Sequence, residues 1–238
     1  ENFAIPSFVP EVIRWIQTRA PTFYPTVDFR PEDWRHYRNA YYRMIEKVDY
    51  EVTRILDTLE AQGLAENTLV VFTSDHGDGH GAHQWNQKSL LYEEEIRIPL
   101  LVSFPGKAQE GQLDDQHIIS NGLDLLPTFC DYAGIEPPSR LPGKSLRPLL
   151  EGEESSWREE LVIEAWPFQG DPRKTLGRAV ITEEYKYVVY SWGRFREQLF
   201  HRKNDPGEMV NLAVNARWET ILKEHRQRLR GYCAEMKD

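Results

Sequence analysis

One apolar run of the chain ends in a loop dense in residue types that bind metals and anions. The run spans Thr68 to Phe72, and the loop from Thr73 to Lys88 holds two aspartates, three histidines, three glycines and a lysine. A short apolar run of this kind is typical of a buried strand. In open α/β sheets, ligands bind beyond the carboxyl ends of the strands. The sequence therefore predicts an α/β layer with a metal-assisted site for an anionic substrate at the end of this strand.

The residues on either side of this run support the α/β layer. From Pro31, apolar side chains recur at spacings of three and four residues as far as Leu59, which predicts a long amphipathic helix. Gly63 suits the position just past the end of that helix. A second apolar run, Ile98 to Phe104, predicts another buried strand with Pro99 at its start, where no ladder donor is needed.

Two shorter helices are expected in the same part of the chain. The first lies near residues 11–18, in a segment rich in proline and aromatic residues. The second lies within Ser120 to Ala133, and with Asp124 as its cap Pro127 falls in the first turn, where a missing N–H costs little. Residues 135–155 follow with four prolines and two glycines, a composition typical of an excursion over the surface.

Beyond residue 155 the pattern changes to short strands. The expected strands are Leu161 to Ala165, Arg178 to Thr182, Lys186 to Ser191 and Glu197 to Phe200. No long helical pattern separates them, so an antiparallel sheet is predicted. Asn215 can cap a final helix. We therefore expect two domains, an α/β part over residues 1–155 and a small α+β part over residues 156–238.

Composition limits the classes of function. The chain has 238 residues, 40% of them hydrophobic and 28% charged, and a formal net charge of −9. This charge argues against a general nucleic-acid binder, which needs a basic face. No apolar run approaches the roughly 20 residues of a membrane span, so no membrane partner is expected. Two cysteines are too few for a disulfide framework and leave the redox compartment open.

Asp75 and His76 are the first candidates for a site. They follow the predicted strand directly, and both can reach one ion if the backbone turns, which Gly77 permits. The plainer alternative is that Asp75 only caps a loop. The loop's alternating glycines either let backbone approach a ligand closely or form a flexible segment.

The second half of the loop adds further candidates. His80 and His83 can act as ligands, proton donors or residues that orient a ligand, or they can simply bond to a carbonyl, which we favour for His80. Lys88 can neutralise a sulfate or phosphate oxygen as a point charge, although most lysines are solvated. Residues 93–95, three glutamates, are expected to form a solvated helix face.

These motifs, taken together, resemble the sulfatase family of the alkaline-phosphatase-like superfamily. The matching residues around the loop are Val70 to Gly77, Gly81, His83, Lys88 and Tyr92 to Leu100. Further similar segments follow in the same order: Asn121 to Thr128, Leu141 to Leu146, Tyr185 to Tyr187 and Asn204 to Glu208. The resemblance runs from about residue 30 to the end. It implies the second half of an α/β/α sandwich with a central mixed sheet. A small α+β subdomain with a four-stranded antiparallel sheet and a C-terminal helix would follow.

The resemblance also implies a mechanism. Sulfatases hydrolyse sulfate esters, and some hydrolyse sulfamates, with a formylglycine whose hydrate attacks sulfur and a divalent cation that neutralises sulfate oxygens. By matching position, Asp75 and His76 supply two metal ligands, Lys88 contacts the sulfate as a catalytic residue, and His83 supports catalysis. An imidazole ligand alone favours zinc-like ions. The family favours Ca²⁺, with Mg²⁺ or another divalent ion as alternatives.

One part of the family pattern is absent from the sequence. No Cys/Ser-x-Pro/Ala-x-Arg motif occurs, and neither Cys130 nor Cys233 stands in one. The paired aspartates that complete the family's metal site are also missing. We therefore expect the chain to be the C-terminal half of a sulfatase, inactive alone, with its nucleophile upstream of Glu1.

Several alternatives stay open at this point. A phosphodiesterase or phosphonate monoester hydrolase of the same superfamily would carry a similar loop, and a non-catalytic sulfatase-like domain is a third candidate. The expected partner is a sulfated small molecule or saccharide. A homo-oligomer formed through an exposed apolar face is also possible. The compartment, whether periplasm, extracellular space or cytoplasm, stays open.

Overall fold

Helices and strands both contribute to the fold, as the sequence predicts. The structure, a computed structural model, describes residues 2–19, 26, 28–166 and 173–236. The helices are α1 (Glu11–Arg19), α2 (Pro31–Ala61), α3 (Glu93–Ile96), α4 (Asn121–Ala133), α5 (Arg147–Leu150) and α6 (Glu219–Met236). The strands are β1 (Val70–Thr73), β2 (Leu100–Ser103), β3 (Glu160–Ala165), β4 (Gly177–Thr182), β5 (Tyr185–Tyr190) and β6 (Glu197–His201).

The backbone separates into two compact units, each assembled from segments distant in sequence. The first unit contains Glu1–Trp34, His76–Arg97 and Glu159–Asp238. The second contains Arg35–Asp75 and Ile98–Arg158. The first unit thus joins the loop after Asp75 to the C-terminal sheet. The domain division expected near residue 155 remains a proposal.

In the second unit, β1 and β2 form an antiparallel pair. Val70 lies opposite Ser103 and Thr73 opposite Leu100. Pro99 directly precedes β2, as predicted, so it takes no place in the ladder. The apolar stripe of α2 is exposed along its length, at Met44, Ile45, Val48, Ile55 and Leu56.

The start of α4 corrects one prediction. The helix begins at Asn121, so Pro127 lies inside it and not in its first turn, and Asp124 is not its N-cap. Asp124 instead reaches back and accepts the Ser120 N–H at 2.8 Å. The Asp124 carboxylate, from within the helix, thus accepts a backbone N–H at the helix start, as the acidic residue of a capping box does. Gly134, with φ of 66°, ends the helix as expected.

The first unit is organised around a four-stranded antiparallel sheet in the order β3-β4-β5-β6. This confirms the predicted four-stranded antiparallel sheet, and α6 is the predicted C-terminal helix. Successive side chains of a strand point to opposite faces, and each face has its own core. One face packs on α6 through Val180, Tyr187, Leu199 and Leu222. The other packs on α1 and on residues 85–92, through Ala179, Val188, Tyr190 and Phe200.

The second core is the one that positions the candidate site. Trp85, Leu90, Leu91 and Tyr92 are each at most 3% exposed, and they anchor the segment that carries Lys88 on the sheet. A loop with so many buried side chains has little freedom to move.

Over the described ranges, none of the helices combines the length and the apolar character that crossing a bilayer requires.

Candidate functional site

His76 and Lys88, twelve residues apart in sequence, meet across the loop. Lys88 Nζ lies 2.9 Å from His76 Nε2, and His76 Nδ1 lies 2.7 Å from the Gly77 carbonyl oxygen. A carbonyl only accepts, so Nδ1 carries the proton and Nε2 carries the lone pair. The structure therefore brings together two of the predicted site residues and fixes the tautomer of one.

The glycines of the loop form one side of a narrow backbone ladder. Gly77 donates its N–H to the Glu95 backbone carbonyl at 2.8 Å, and Gly79 donates its N–H to the Gln87 backbone carbonyl at 2.7 Å. Gly81 donates to Trp85 at 2.8 Å. The alternating glycines therefore serve close approach between two arms of backbone, a role that differs from both alternatives expected from the sequence.

Gly77 lies closer to neighbouring backbone than Gly79 does. A Cβ built at Gly77 would lie 2.0 Å from the Glu94 carbonyl oxygen, whereas a Cβ at Gly122 in α4 would meet nothing within 4 Å. We expect Gly77→Ala to force the two arms apart and to lower the free energy of unfolding by about 1–3 kcal/mol. Gly122→Ala should leave stability equal or about 0.5–1 kcal/mol higher. Urea unfolding of the two variants checks this, and equal midpoints would contradict it.

Backbone strain is concentrated in the same loop. Four of its residues other than glycine adopt positive φ between 51° and 61°, and the adjoining Ser89 has φ of 96°. The four are His80, His83, Gln84 and Gln87. Such conformations cost energy and persist only where the surroundings impose them. They are most frequent at functional sites, so this concentration supports a site here.

Asp78 organises the tip of the loop, and sequence reasoning missed it. Its Oδ1 accepts the His80 N–H at 2.7 Å and its Oδ2 accepts the Gln87 N–H at 3.1 Å. The available signal was an aspartate two residues before His80, the spacing of an Asx turn.

His83 lies inside the loop and not on its surface. It is 4% exposed, and its ring stacks on Tyr92 with centroids 3.9 Å apart. Burial, together with the charge of Lys186, lowers the pKa of His83 to about 4. The imidazole is therefore neutral at neutral pH, and its Nε2 lies 4.0 Å from Glu94 Oε2.

The glutamates after the loop correct a second prediction. Glu95 is 3% exposed, and the side chains of Glu93 and Glu94 are only 20% and 27% exposed, so they do not form a solvated helix face. Glu95 Oε2 accepts the Leu90 N–H at 2.6 Å. Burial raises the pKa of this carboxyl group well above its ordinary value.

Asp75 lies at the end of β1 in the second unit. It is exposed, and its Oδ1 lies 3.5 Å from the Ser74 hydroxyl oxygen. The Asn121 side chain donates to the Ser74 carbonyl at 2.8 Å, which fixes the backbone just before the aspartate. Asn121 is thus a second supporting residue that the sequence did not single out for this role.

The chemistry of His76 fits a metal ligand. Ligating histidines usually donate their second ring N–H to a carboxylate or a carbonyl, which orients the ring and raises its basicity. The Nδ1 contact to Gly77 meets this requirement. Within the described part of the chain, no group of three or more His, Cys, Asp or Glu side chains is arranged to hold an ion.

Two family models match the chain. The model described as Sulfatase matches residues 14–135. The model described as N-sulphoglucosamine sulphohydrolase, C-terminal, matches residues 81–235. They overlap over the segment that carries His83, Lys88 and α3.

Individual relatives agree with the family models. A delta 4,5-hexuronate-2-O-sulfatase of Bacteroides thetaiotaomicron is 33% identical over 241 residues, which cover 100% of this chain and 50% of that protein. A solved structure of a 2-O GAG sulfatase has a TM-score of 0.92 at 33% identity, covering 100% of this chain and 52% of that one. The phosphonate monoester hydrolase of Agrobacterium radiobacter has a TM-score of 0.77 at 28% identity, with 87% and 43% covered.

The chain therefore spans about half the length of the relatives that it matches. The two family models each cover more than half of its residues, and between them they reach from α1 to α6. The likeness to a phosphonate monoester hydrolase extends this relationship to the wider superfamily. The chain belongs to the sulfatase family, within the alkaline-phosphatase-like superfamily.

Proposed function

We propose that this chain forms one wall of the active site of a metal-dependent sulfatase, a hydrolase of sulfate esters or sulfamates. The observation that carries the proposal is the His76–Lys88 pair, with Nε2 and Nζ 2.9 Å apart in a strained loop. The Nε2 lone pair has a fixed direction, which suits a metal ligand, and a metal ion bound there would take the place of the hydrogen bond from Lys88 and leave that ammonium group for an anion.

Each predicted residue has a role in this proposal. Asp75 and His76, consecutive in the chain, are two ligands of a divalent cation, for which we propose Ca²⁺, with Mg²⁺ or another divalent ion as the alternative. Bound there, the ion would neutralise sulfate oxygens and stabilise charge as the ester bond breaks. Lys88 contacts the sulfate through its exposed ammonium group. His83, neutral and buried, supports the loop from inside.

The nucleophile belongs to another part of the protein in this proposal. Sulfatases use a formylglycine made from a Cys/Ser-x-Pro/Ala-x-Arg motif, and this sequence has no such motif. When present, that group supplies the hydrated aldehyde that attacks sulfur. We therefore propose that the chain alone turns over no sulfate ester. The domain division at residue 155 and self-association through exposed apolar side chains such as Met44 and Ile45 are further proposals.

The proposed substrate is a sulfated saccharide. The names of two similar proteins, the hexuronate-2-O-sulfatase and the 2-O GAG sulfatase, both refer to sulfate on a sugar. A second candidate activity is hydrolysis of phosphonate or phosphate esters. The likeness to the Agrobacterium enzyme favours it as the runner-up.

Assays of the full-length protein separate these candidates. With para-nitrophenyl sulfate, para-nitrophenyl phosphate and a phenylphosphonate ester, we expect kcat/KM to be at least about 100-fold higher for the sulfate. EDTA should abolish turnover, and Ca²⁺ should restore it better than Zn²⁺. A preference for the phosphonate would favour the runner-up. No turnover of any ester by protein that carries its formylglycine would favour a non-catalytic domain.

A further inference from the structure

Beneath the loop, a lysine of β5 lies among carboxylates. Lys186 is 0% exposed, and it shares a strand face with Val188 and Tyr190, which belong to the core under the loop. Its Nζ lies 3.1 Å from Glu93 Oε1 and also contacts Glu208 Oε1. The side chains of Glu93 and Glu208 are 20% and 3% exposed, so the three residues form an ion cluster shielded from solvent.

This ion cluster fixes the first residue of α3 in two ways. Glu208 Oε2 accepts the Glu93 N–H at 2.9 Å, while Lys186 holds the Glu93 side chain. Glu208 is itself held in place because its N–H donates to the Asp205 carbonyl at 3.0 Å, in the turn after β6. Both the backbone and the side chain of Glu93 are therefore tied to the sheet.

Two residues further on, Glu95 connects α3 to both arms of the site. Its carbonyl accepts the N–H of Gly77, the neighbour of His76, at 2.8 Å. Its carboxyl oxygen accepts the N–H of Leu90, two residues after Lys88, at 2.6 Å. A shift of α3 would therefore move the backbone beside His76 and Lys88 together.

Keeping the carboxylates of this ion cluster charged and buried costs folding free energy. Burial raises the pKa of Glu208 to about 7. Burial opposes ionisation of Glu93 too, but the nearby Lys186 leaves the pKa of Glu93 below its ordinary value. Buried ion pairs are often no more stable than apolar side chains of the same volume. A role in holding the backbone geometry of the site would account for the presence of this ion cluster beneath the loop.

We propose that Lys186 is a positioning residue, which sets the placement of the His76–Lys88 pair through Glu93, α3 and Glu95. The inference rests on the proposed function, because it concerns the same two site residues. Small displacements of a catalytic group are costly, and a shift of about 1 Å can reduce the rate by about 100-fold. We therefore expect Lys186→Met to lower kcat by about 10- to 100-fold, with a smaller change in KM.

The experiment is a double-mutant cycle in the full-length protein, with kcat measured per folded molecule on para-nitrophenyl sulfate. If Lys186 places both members of the pair, adding Lys186→Met to Lys88→Ala should lower kcat by a clearly smaller factor than it does in the wild-type background, because only the effect through His76 remains. Lys203→Met is the matched control, because it makes the same substitution at a lysine whose side chain is 64% exposed, and it should change kcat by less than about threefold.

The possible outcomes are distinct. Effects of the two substitutions that multiply, or a kcat for Lys186→Met within about twofold of wild type, would overturn the positioning role. Should Lys186→Met fail to fold, Glu208→Ala replaces it in the same cycle, because it removes the acceptor for Glu93 and keeps the lysine. Failure of the proposed function would show differently, as absent turnover in the wild-type protein.

Discussion

Replacing Lys88 by alanine in the full-length protein should lower kcat for a sulfate ester by about 10²- to 10³-fold. This is the usual effect of removing one fixed group that stabilises charge developing in a transition state. Lys88 is exposed, but its Nζ is held 2.9 Å from His76 Nε2, so its charge has a defined position. The loss should therefore fall mainly on kcat and less on KM.

Two further substitutions make this result specific. Lys88→Arg retains the charge but not the compact ammonium geometry, so it should recover only part of the rate. Lys223→Ala removes a surface lysine whose side chain is 69% exposed, and it should leave kcat unchanged. Steady-state kinetics on para-nitrophenyl sulfate give both parameters. A Lys88→Ala enzyme with kcat within about threefold of wild type would remove Lys88 from the mechanism.

The local part of this site could be predicted from sequence, because its signals are short-range. Asp75 and His76 just after a strand predicted a candidate site there, and Gly77 was expected to let the backbone turn beside them. The four C-terminal strands were predicted for the same reason, since short runs rich in apolar and aromatic residues without a helical pattern between them are a local signal.

The non-local part could not be predicted. Lys186 lies in a short strand pattern, and nothing near it in sequence indicates that its partners are Glu93 and Glu208. For that reason Glu93 was expected to be solvated, although its partner Lys186 lies in a strand about ninety residues later in the chain. The N-cap of α4 was predicted at the wrong residue for a similar reason, because the Asp124 carboxylate binds an arginine that is distant in sequence.

The second large effect is expected at that aspartate, and it concerns stability. Asp124 is 0% exposed, and its oxygens accept from Ser120 N–H at 2.8 Å and from Lys144 N–H at 3.0 Å. Arg158 also binds it with two nitrogens, and the Arg158 side chain is only 12% exposed. Asp124→Ala should lower the free energy of unfolding by about 3–5 kcal/mol, because it leaves a poorly solvated cation and two backbone donors without their acceptor.

Urea unfolding of the full-length protein measures this effect, with Glu183→Ala as the control. Glu183 pairs with Lys203 on the surface, where the two side chains are 74% and 64% exposed, so its removal should leave the unfolding midpoint unchanged. If the unpaired Arg158 cation accounts for most of the loss in the free energy of unfolding, then Asp124→Ala combined with Arg158→Met should be more stable than Asp124→Ala alone. An unchanged midpoint for Asp124→Ala would contradict the prediction. A double variant no more stable than the single one would assign the loss to the backbone donors of Ser120 and Lys144.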